Sequence, residues 1–290
     1  MSKINIGLLT AAAMLAFAAN SILCRWALRG AHIDAASFTL IRLAAGAVTL
    51  ALLVWVRGGA IGRYGSWWSA CALLGYAAGF SFAYLSIPAA VGALLLFGSV
   101  QSTMIGYGLW RGERLDLVQS LGLALACLGL VGLMLPGLSS PPFAGAVLMI
   151  AAGVAWGIYS LRGRAGGNPI ASTAGNFIRA VPLSVALSFV FSPRFALDFS
   201  GIGFAVASGA ITSGLGYAAW YSVLPSLRST SAATLQLSVP VLAALGGAAF
   251  LDEPLTLRLV LTSAAVLVGV ALVIRDRRGG QSVRQPKSAA

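Results

Sequence analysis

Charge is what this sequence has least of. Only 9% of its 290 residues are charged, whereas 59% are hydrophobic. A soluble domain carries roughly 25% charged residues, because its surface has to face water. The apolar residues form long runs, and the stretch 66–110, long enough for two membrane spans, contains no charge. Lipid offers no partner to backbone N–H and C=O groups, so the spans must be helices or a closed barrel. Barrel strands alternate apolar and polar residues, whereas these runs are apolar on every side and are therefore helices. The sequence therefore predicts an all-α polytopic membrane protein.

Acidic residues, histidine and cysteine are also scarce. The chain has seven Asp and Glu, one His and three Cys, and no Cys-x-x-Cys or Cys/His spacing. This scarcity gives no basis for a metal site or a disulfide framework. General acid–base chemistry would have few agents, so we predict no catalytic residue, no cofactor and no enzyme. Every Asp and Glu lies in or beside a predicted loop, Asp116 at the very start of a span, so no span carries an internal carboxylate, the usual proton relay. This favours downhill transport over proton coupling.

Basic residues outnumber acidic ones, with 19 Lys and Arg and a net charge of +12. They lie mostly in short loops and at the C-terminus and are not interleaved with aromatics on a polar surface, so no nucleic-acid partner is predicted. With a cytoplasmic N-terminus, thirteen fall inside, four outside, and Arg42 and Arg179 lie within spans. The positive-inside rule then places both termini in the cytoplasm.

Charges, prolines and glycine clusters divide the chain into ten predicted transmembrane helices. They cover residues 4–24, 36–56, 66–86, 90–110, 116–135, 143–161, 171–191, 201–222, 231–250 and 257–274.

An internal repeat relates the two halves of the chain. Gly75-Tyr76-Ala77-Ala78 returns as Gly216-Tyr217-Ala218-Ala219, and the order of further matches is kept: Pro88 with Pro225, Arg42 with Arg179, Glu113 with Glu253. The sequence thus predicts two five-helix repeats, 1–138 and 139–275, and a disordered basic cytoplasmic tail at 276–290. Five is odd, so the second repeat is inverted. Inverted repeats are typical of alternating-access transporters with a substrate site between the halves.

Several short motifs carry a family resemblance. They are Gly112-Glu-Arg-Leu-Asp116, Gly129-Leu-Val-Gly132, Trp156-Gly-Ile-Tyr-Ser160, the segment Tyr221–Pro240, Leu251-Asp-Glu-Pro-Leu-Thr256 and Gly269-Val270. In this order they resemble the drug/metabolite transporter superfamily, specifically its ten-helix EamA-type exporters, and are similar to the bacterial aromatic amino acid exporters. Two positions depart from the pattern: Val239 precedes Pro240 where many relatives have Glu, and Gln101 replaces the equivalent proline of span four.

The resemblance implies export of small metabolites, amino acids prominent among them, through a central cavity. Other metabolites or drugs, and phosphorylated metabolites, stay open as alternatives. A doubly charged phosphate would want two or more converging cations, and an intramembrane enzyme is the remaining alternative. Abundant Arg and Ala fit a GC-rich bacterial genome, so we expect a bacterial inner membrane protein. We also expect a monomer.

Depth within the predicted spans selects candidate substrate-binding residues. Aromatic faces can hold an ammonium group, and amides can replace its solvation. The set is Asn20, Tyr76, Phe80, Gln101, Trp156, Tyr159, Asn176, Arg179 and Tyr217. Arg179 is the candidate carboxylate ligand, although it and Arg42 could instead snorkel to a membrane face. Packing, lipid contact or interhelical hydrogen bonds are the alternatives for the others. Tyr84, Trp110 and Tyr221, near span ends, are assigned to an interfacial belt.

Three positions are candidate hinges. Pro182 and Pro240 interrupt predicted spans, and Gly98 loosens a third. Gly122 with Ala126, and Ala265 with Gly269, form small-xxx-small patterns that predict close helix packing.

Overall fold

The structure, a computed structural model, describes residues 3–30, 32–60, 64–112, 114–135, 140–163, 168–191, 198–227 and 235–274. Over these ranges the chain is helical, with one short 3₁₀ turn at Leu224–Ser226 and no β-strand beyond an isolated bridge at Ile33. The helices are α1 Lys3–Arg29, α2 Ala35–Val56, α3 Trp67–Ala83, α4 Ala89–Trp110, α5 Leu117–Met134, α6 Phe143–Gly163, α7 Pro169–Phe191, α8 Phe199–Val223, α9 Ser238–Leu251 and α10 Leu257–Ile274. The all-α prediction is confirmed.

Eight of these helices are long and apolar enough to cross a membrane. The exceptions are α3, with 17 residues, and α9, with 14. Ten crossings and the cytoplasmic placement of both termini therefore stay predictions, and the predicted tail 276–290 lies outside the described residues.

Two helix boundaries differ from the predicted ones. The predicted first span ends at 24, yet α1 continues to Arg29, because Arg25 donates a hydrogen bond to Glu253 in the turn after α9 and Arg29 donates one to the Leu251 carbonyl oxygen at the end of α9. The predicted ninth span starts at 231, whereas α9 starts at Ser238 and residues 231–234 are outside the described part of the chain.

The helices pack in pairs. Helix α2 packs on α7 and α5 on α10, while α3 packs on α6 as α1 packs on α8. Likewise, α4 contacts α6 as α9 contacts α1. Exchanging each helix of the first half for its counterpart in the second leaves this pattern unchanged. An inverted repeat would produce such pairing, and the repeat itself stays a prediction.

The contact between α5 and α10 is formed by small residues. A Cβ on Gly122 would lie 2.7 Å from the carbonyl oxygen of Gly269, and one on Gly269 would lie 2.5 Å from the amide nitrogen of Ala126. Both distances are too short for a real Cβ contact, so the two backbones approach as closely as glycine permits. The predicted small-residue packing is confirmed here.

Helix α4 lies at the centre of the bundle. In its most apolar 18-residue window, 72% of the residues are buried, against 22–50% for the other candidate spans. Its neighbours include α6 and α9.

Candidate functional site

A polar network crosses the middle of the bundle. The Asn20 side-chain oxygen accepts hydrogen bonds from Ser208 Oγ at 2.7 Å and Thr212 Oγ1 at 3.1 Å. The amide nitrogen of Asn20 donates to the Tyr76 hydroxyl at 3.4 Å. Ser208 and Thr212 belong to a π-helical segment of α8, Ser208–Leu215. π-Helical turns inside α-helices are frequent at functional sites, and this one brings hydroxyls from α8 to α1.

Arg42 extends the network into α2. Its Nη2 donates to Tyr76 Oη at 2.9 Å and its Nε to Ser213 Oγ at 3.2 Å. The guanidinium carbon also lies 4.9 Å from the centroid of the Phe80 ring. The sequence-based interpretation of Arg42 as a snorkelling residue is wrong, because the side chain turns into the bundle and is 1% exposed. At this point α8 lies directly against the backbone of α2, since a Cβ at Gly209 would clash with the Arg42 carbonyl oxygen. This close approach brings Ser213 of α8 within reach of the Arg42 side chain.

Two adjoining cavities lie beside this network. The inner chamber has a volume of about 20 Å³, room for roughly one water molecule. Its wall includes Asn20, Tyr76, Phe80 and Thr212. The outer chamber has a volume of about 350 Å³ and extends from Gln101 in α4 to Gly163 and Pro169 at the facing ends of α6 and α7. The outer chamber therefore connects the bundle centre with one end of the molecule.

Aromatic side chains separate the two chambers. Phe17, Trp156 and Tyr217 line both. The Trp156 ring centroid lies 4.7 Å from that of Tyr76 and 5.1 Å from that of Tyr217. Tyr159 stacks on Trp156, also with 5.1 Å between ring centroids. Such a cluster can receive an apolar or aromatic side chain on its ring edges and a cation on its ring faces.

The structure brings six of the nine predicted binding residues to the chambers. Asn20, Tyr76, Phe80, Gln101, Trp156 and Tyr217 form part of the walls. Tyr159 and Asn176 lie behind them and bond to each other at 3.3 Å, and Asn176 also accepts from the Ser66 backbone N–H. Arg179 donates to the carbonyl oxygens of Tyr64 and Gly175. Neither chamber is lined by these three residues.

Sequence reasoning missed other wall residues. Gln236 and Phe17 line both chambers, Thr212 the inner one and Trp220 the outer one. Gln236 had a signal, since it is a polar residue four positions before a proline in an apolar segment. Of the predicted belt, Trp110 is exposed, whereas Tyr84 is fully buried and Tyr221 lines the outer chamber. The belt assignment is wrong for these two tyrosines, which turn inward.

The opposite end of the bundle is closed by charged groups. The Arg25 Nε and Glu253 Oε1 atoms form an ion pair at 3.1 Å, and both side chains are largely buried. Glu253 Oε2 accepts from the Ala89 backbone N–H at 2.7 Å, at the positive end of α4. Arg25 Nη1 donates to the Tyr84 carbonyl oxygen at 2.8 Å, and Arg29 donates to that of Leu251. This closing cluster ties α1 and the turn after α9 to the turn between α3 and α4.

A second, exposed pair lies near the same end. His32 Nδ1 and Asp198 Oδ2 are 3.0 Å apart, and Ser200 Oγ donates to the same carboxylate oxygen. Hydrogen bonds from Ser200, then His32, hold the pKa of Asp198 below its ordinary value. Because both partners face water, the pair contributes little to stability.

Comparison with known proteins identifies the family to which this chain belongs. Residues 143–275 match the EamA-like transporter family. An uncharacterized protein of Pseudomonas aeruginosa is 53% identical over 273 residues, covering 94% of this chain and 95% of its own. An uncharacterized transporter of Archaeoglobus fulgidus is 32% identical over 176 residues, covering 57% of this chain and 60% of its own. The chain belongs to the EamA-like transporter family. The predicted membership of the drug/metabolite transporter superfamily is confirmed.

A solved crystal structure supports the fold of this EamA-like transporter. It aligns with a TM-score of 0.68 over 93% of this chain and 96% of its own, at 18% identity, which shows the fold alone. With family and apolar helices together, the protein is a multi-pass membrane transporter of small substrates. In the described part of this EamA-like transporter, no group of three or more His, Cys, Asp and Glu side chains is placed to hold a metal ion.

The candidate hinges of the EamA-like transporter differ in setting. Gly98 packs against the Leu130 side chain. Pro182 is an exposed residue near the middle of α7, and the helix continues through it without a break. Pro240 lies in the first turn of α9, where no ladder hydrogen bond is lost. Its ring excludes the carbonyl group of Gln236, four residues back, which accounts for the one-residue break at Leu237 between the helical residues 235–236 and the start of α9. This break lies beside both chambers, because Gln236 lines them.

Proposed function

We propose that this protein exports amino acids with aromatic or other neutral side chains from the cytoplasm by alternating access, downhill, across a bacterial inner membrane. The observation that carries the proposal is the aromatic-walled outer chamber of about 350 Å³, which reaches one end of the bundle while the closing cluster seals the other. A passage open at one end and closed at the other is one of the two states that alternating access requires.

The chamber suits a small zwitterion. Ligand cavities of proteins measure roughly 300–1,000 Å³, and this one lies near the lower limit. An ammonium group can rest on the faces of Trp156 or Tyr217, and the amides of Gln101 and Gln236 provide hydrogen bonds. An apolar side chain then packs against Phe17 and Trp220. A ligand much larger than an amino acid would leave no free volume in the outer chamber.

Direction follows from charge. Arg111, Arg114 and Arg162 follow or precede spans at the end that the positive-inside rule assigns to the cytoplasm. The ends of α6 and α7, where the outer chamber emerges, belong to that same side in the predicted topology. In the proposed cycle the substrate therefore enters from the cytoplasm in this state.

Efflux from preloaded cells tests the proposal. Bacteria that express the chain are loaded with dipeptides, and release of each amino acid is compared with an empty vector and with a Tyr217→Ala variant. We expect faster release of aromatic or other neutral amino acids from cells with the native chain only. Unchanged release of every amino acid would contradict amino acid export and favour drugs or phosphorylated metabolites. In proteoliposomes, accumulation above equilibrium under an imposed pH gradient would contradict downhill transport.

A further inference from the structure

Arg42 carries a positive charge that nothing in the described protein neutralises. The described ion pairs are Arg25 with Glu253 and His32 with Asp198, and neither includes Arg42. The other titratable side chains that lie close enough to interact with its charge are the phenols of Tyr76 and Tyr217 and the thiol of Cys24, and none of them is a carboxylate. Arg42 is thus a buried cation surrounded by hydroxyls, a thiol and aromatic rings.

The guanidinium is also incompletely hydrogen-bonded. Nε and Nη2 have partners in Ser213 and Tyr76, but among the described residues Nη1 has none. Burying an unpaired charge is costly, and buried charges are normally paired with an opposite one. An anionic ligand would supply both the counter-charge and the hydrogen-bond acceptor that the buried Arg42 side chain lacks.

The inner chamber is where such a ligand would lie. Tyr76 and Phe80 form part of its wall. Arg42 does not line the chamber itself but lies against these two rings, with its guanidinium carbon 5.2 Å and 4.9 Å from their centroids. Asn20 and Thr212 add an amide and a hydroxyl to the same wall. The aromatic residues Phe17, Trp156 and Tyr217 connect this chamber to the outer one. An anion at this point would have its organic part in the aromatic passage.

From this geometry we infer that the inner chamber is a carboxylate subsite, in which Arg42 pairs with the carboxylate of the substrate beside the Tyr76 hydroxyl. The inference rests on the proposed function for its substrate, an amino acid, and assigns the carboxylate to Arg42 rather than to Arg179. One cation fits a monoanion such as a carboxylate, whereas a phosphate ester would want a second cation. In the structure the chamber holds about one water volume, so carboxylate binding requires Phe80 or Tyr76 to move.

Ligand-induced stabilisation of the purified full chain tests the subsite. Melting temperatures are measured with phenylalanine, with phenylalaninamide, which keeps the side chain and ammonium but lacks the carboxylate, and with 3-phenylpropionate, which lacks the ammonium. We expect the two carboxylates to raise the melting temperature of the native protein in a saturable way, and the amide to bind at least tenfold more weakly. Equal stabilisation by acid and amide would overturn the inference without any variant being needed.

Matched arginine variants locate the subsite. We expect Arg42→Gln to lose the preference for acid over amide and Arg42→Lys to keep it with weaker binding, while Arg179→Gln keeps it in full. Loss of the preference in Arg179→Gln with retention in Arg42→Gln would assign the carboxylate to Arg179 and overturn the inference. An equal, Arg42-dependent shift with chloride or inorganic phosphate would overturn the carboxylate class. Arg42-dependent binding of 3-phenylpropionate in a protein that exports no amino acid would sustain the subsite and contradict only the proposed function.

Discussion

At the scale of single residues, the aromatic wall is where recognition is concentrated. Trp156 lies between the chambers and contacts Tyr76, Tyr159 and Tyr217. We expect Trp156→Leu to raise the KM for an aromatic amino acid about 2- to 30-fold, because a cation on an aromatic face contributes about 0.5–2 kcal/mol. Initial uptake rates in proteoliposomes measure this. Trp110→Leu, at a tryptophan that is 81% exposed, is the matched control and should leave KM unchanged.

The sequence predicted how deep a residue lies within its span better than it predicted what that residue contacts. Depth along the chain selected nine chamber candidates, of which six line a chamber and Tyr159, Asn176 and Arg179 do not. Which way a side chain faces was not predictable, because lipid and protein interior are both apolar and the helices carry little hydrophobic asymmetry. The predicted repeat pairs Arg42 with Arg179, yet packing buries the first completely and the second only in part.

At the scale of helices, close backbone contact holds α5 against α10. We expect Gly122→Leu to destabilise the protein by about 1–3 kcal/mol, since the new side chain has to displace backbone of α10. Gly106→Leu is the matched control, because a Cβ at Gly106 meets nothing within 4 Å. Thermal unfolding in detergent compares the two. Equal melting temperatures of the Gly122→Leu and Gly106→Leu proteins would contradict the close packing of α5 against α10.

The start of α9 gives a second prediction at this scale. Pro240→Ala removes the ring that breaks the helix at Leu237, so the helix should extend backwards and redirect Gln236 out of the chambers. We expect unchanged or higher thermal stability and a several-fold slower transport rate. Pro182→Ala, inside the unbroken α7, is the comparison and should keep the native rate. A Pro240→Ala protein that transports at the native rate would rule out a role for the break.

The composition of the sequence was enough to predict where helices form, but it did not predict the residues at which they end. Long apolar runs can only be helices in lipid, so the helical segments were predictable. The ends depend on tertiary partners: α1 runs on to Arg29 because Glu253 and a carbonyl group from Leu251 receive its arginines. Residues 228 places apart along the chain contain no local signal of that pairing.

At the scale of the whole molecule, the closing cluster ties α1 and the turn after α9 to the turn between α3 and α4 at one end of the bundle. We expect Glu253→Gln to weaken the closed end, because Arg25 loses its counter-charge in a largely buried place. Cys24, fully buried on the same helix, reports the opening once Cys71 and Cys127 are changed to Ser. Labelling of Cys24 by a membrane-impermeant thiol reagent should become several-fold faster.

The exposed pair supplies the control for that experiment. Asp198→Asn removes a charge near the same end, but from a water-facing pair that contributes little. Its labelling rate at Cys24 should equal that of the native protein. Equal rates in all three proteins would show that Arg25 and Glu253 do not keep this end shut.

The burial of α4 has a consequence for how the protein is made. Its permanent neighbours α6 and α9 follow it in the sequence, so the ribosome releases α4 before either exists. During synthesis this helix must therefore rest against lipid, as any span does, and lose that lipid later when the second half arrives. Its apolar surface thus serves first as a membrane anchor and only afterwards as the interior of the finished transporter.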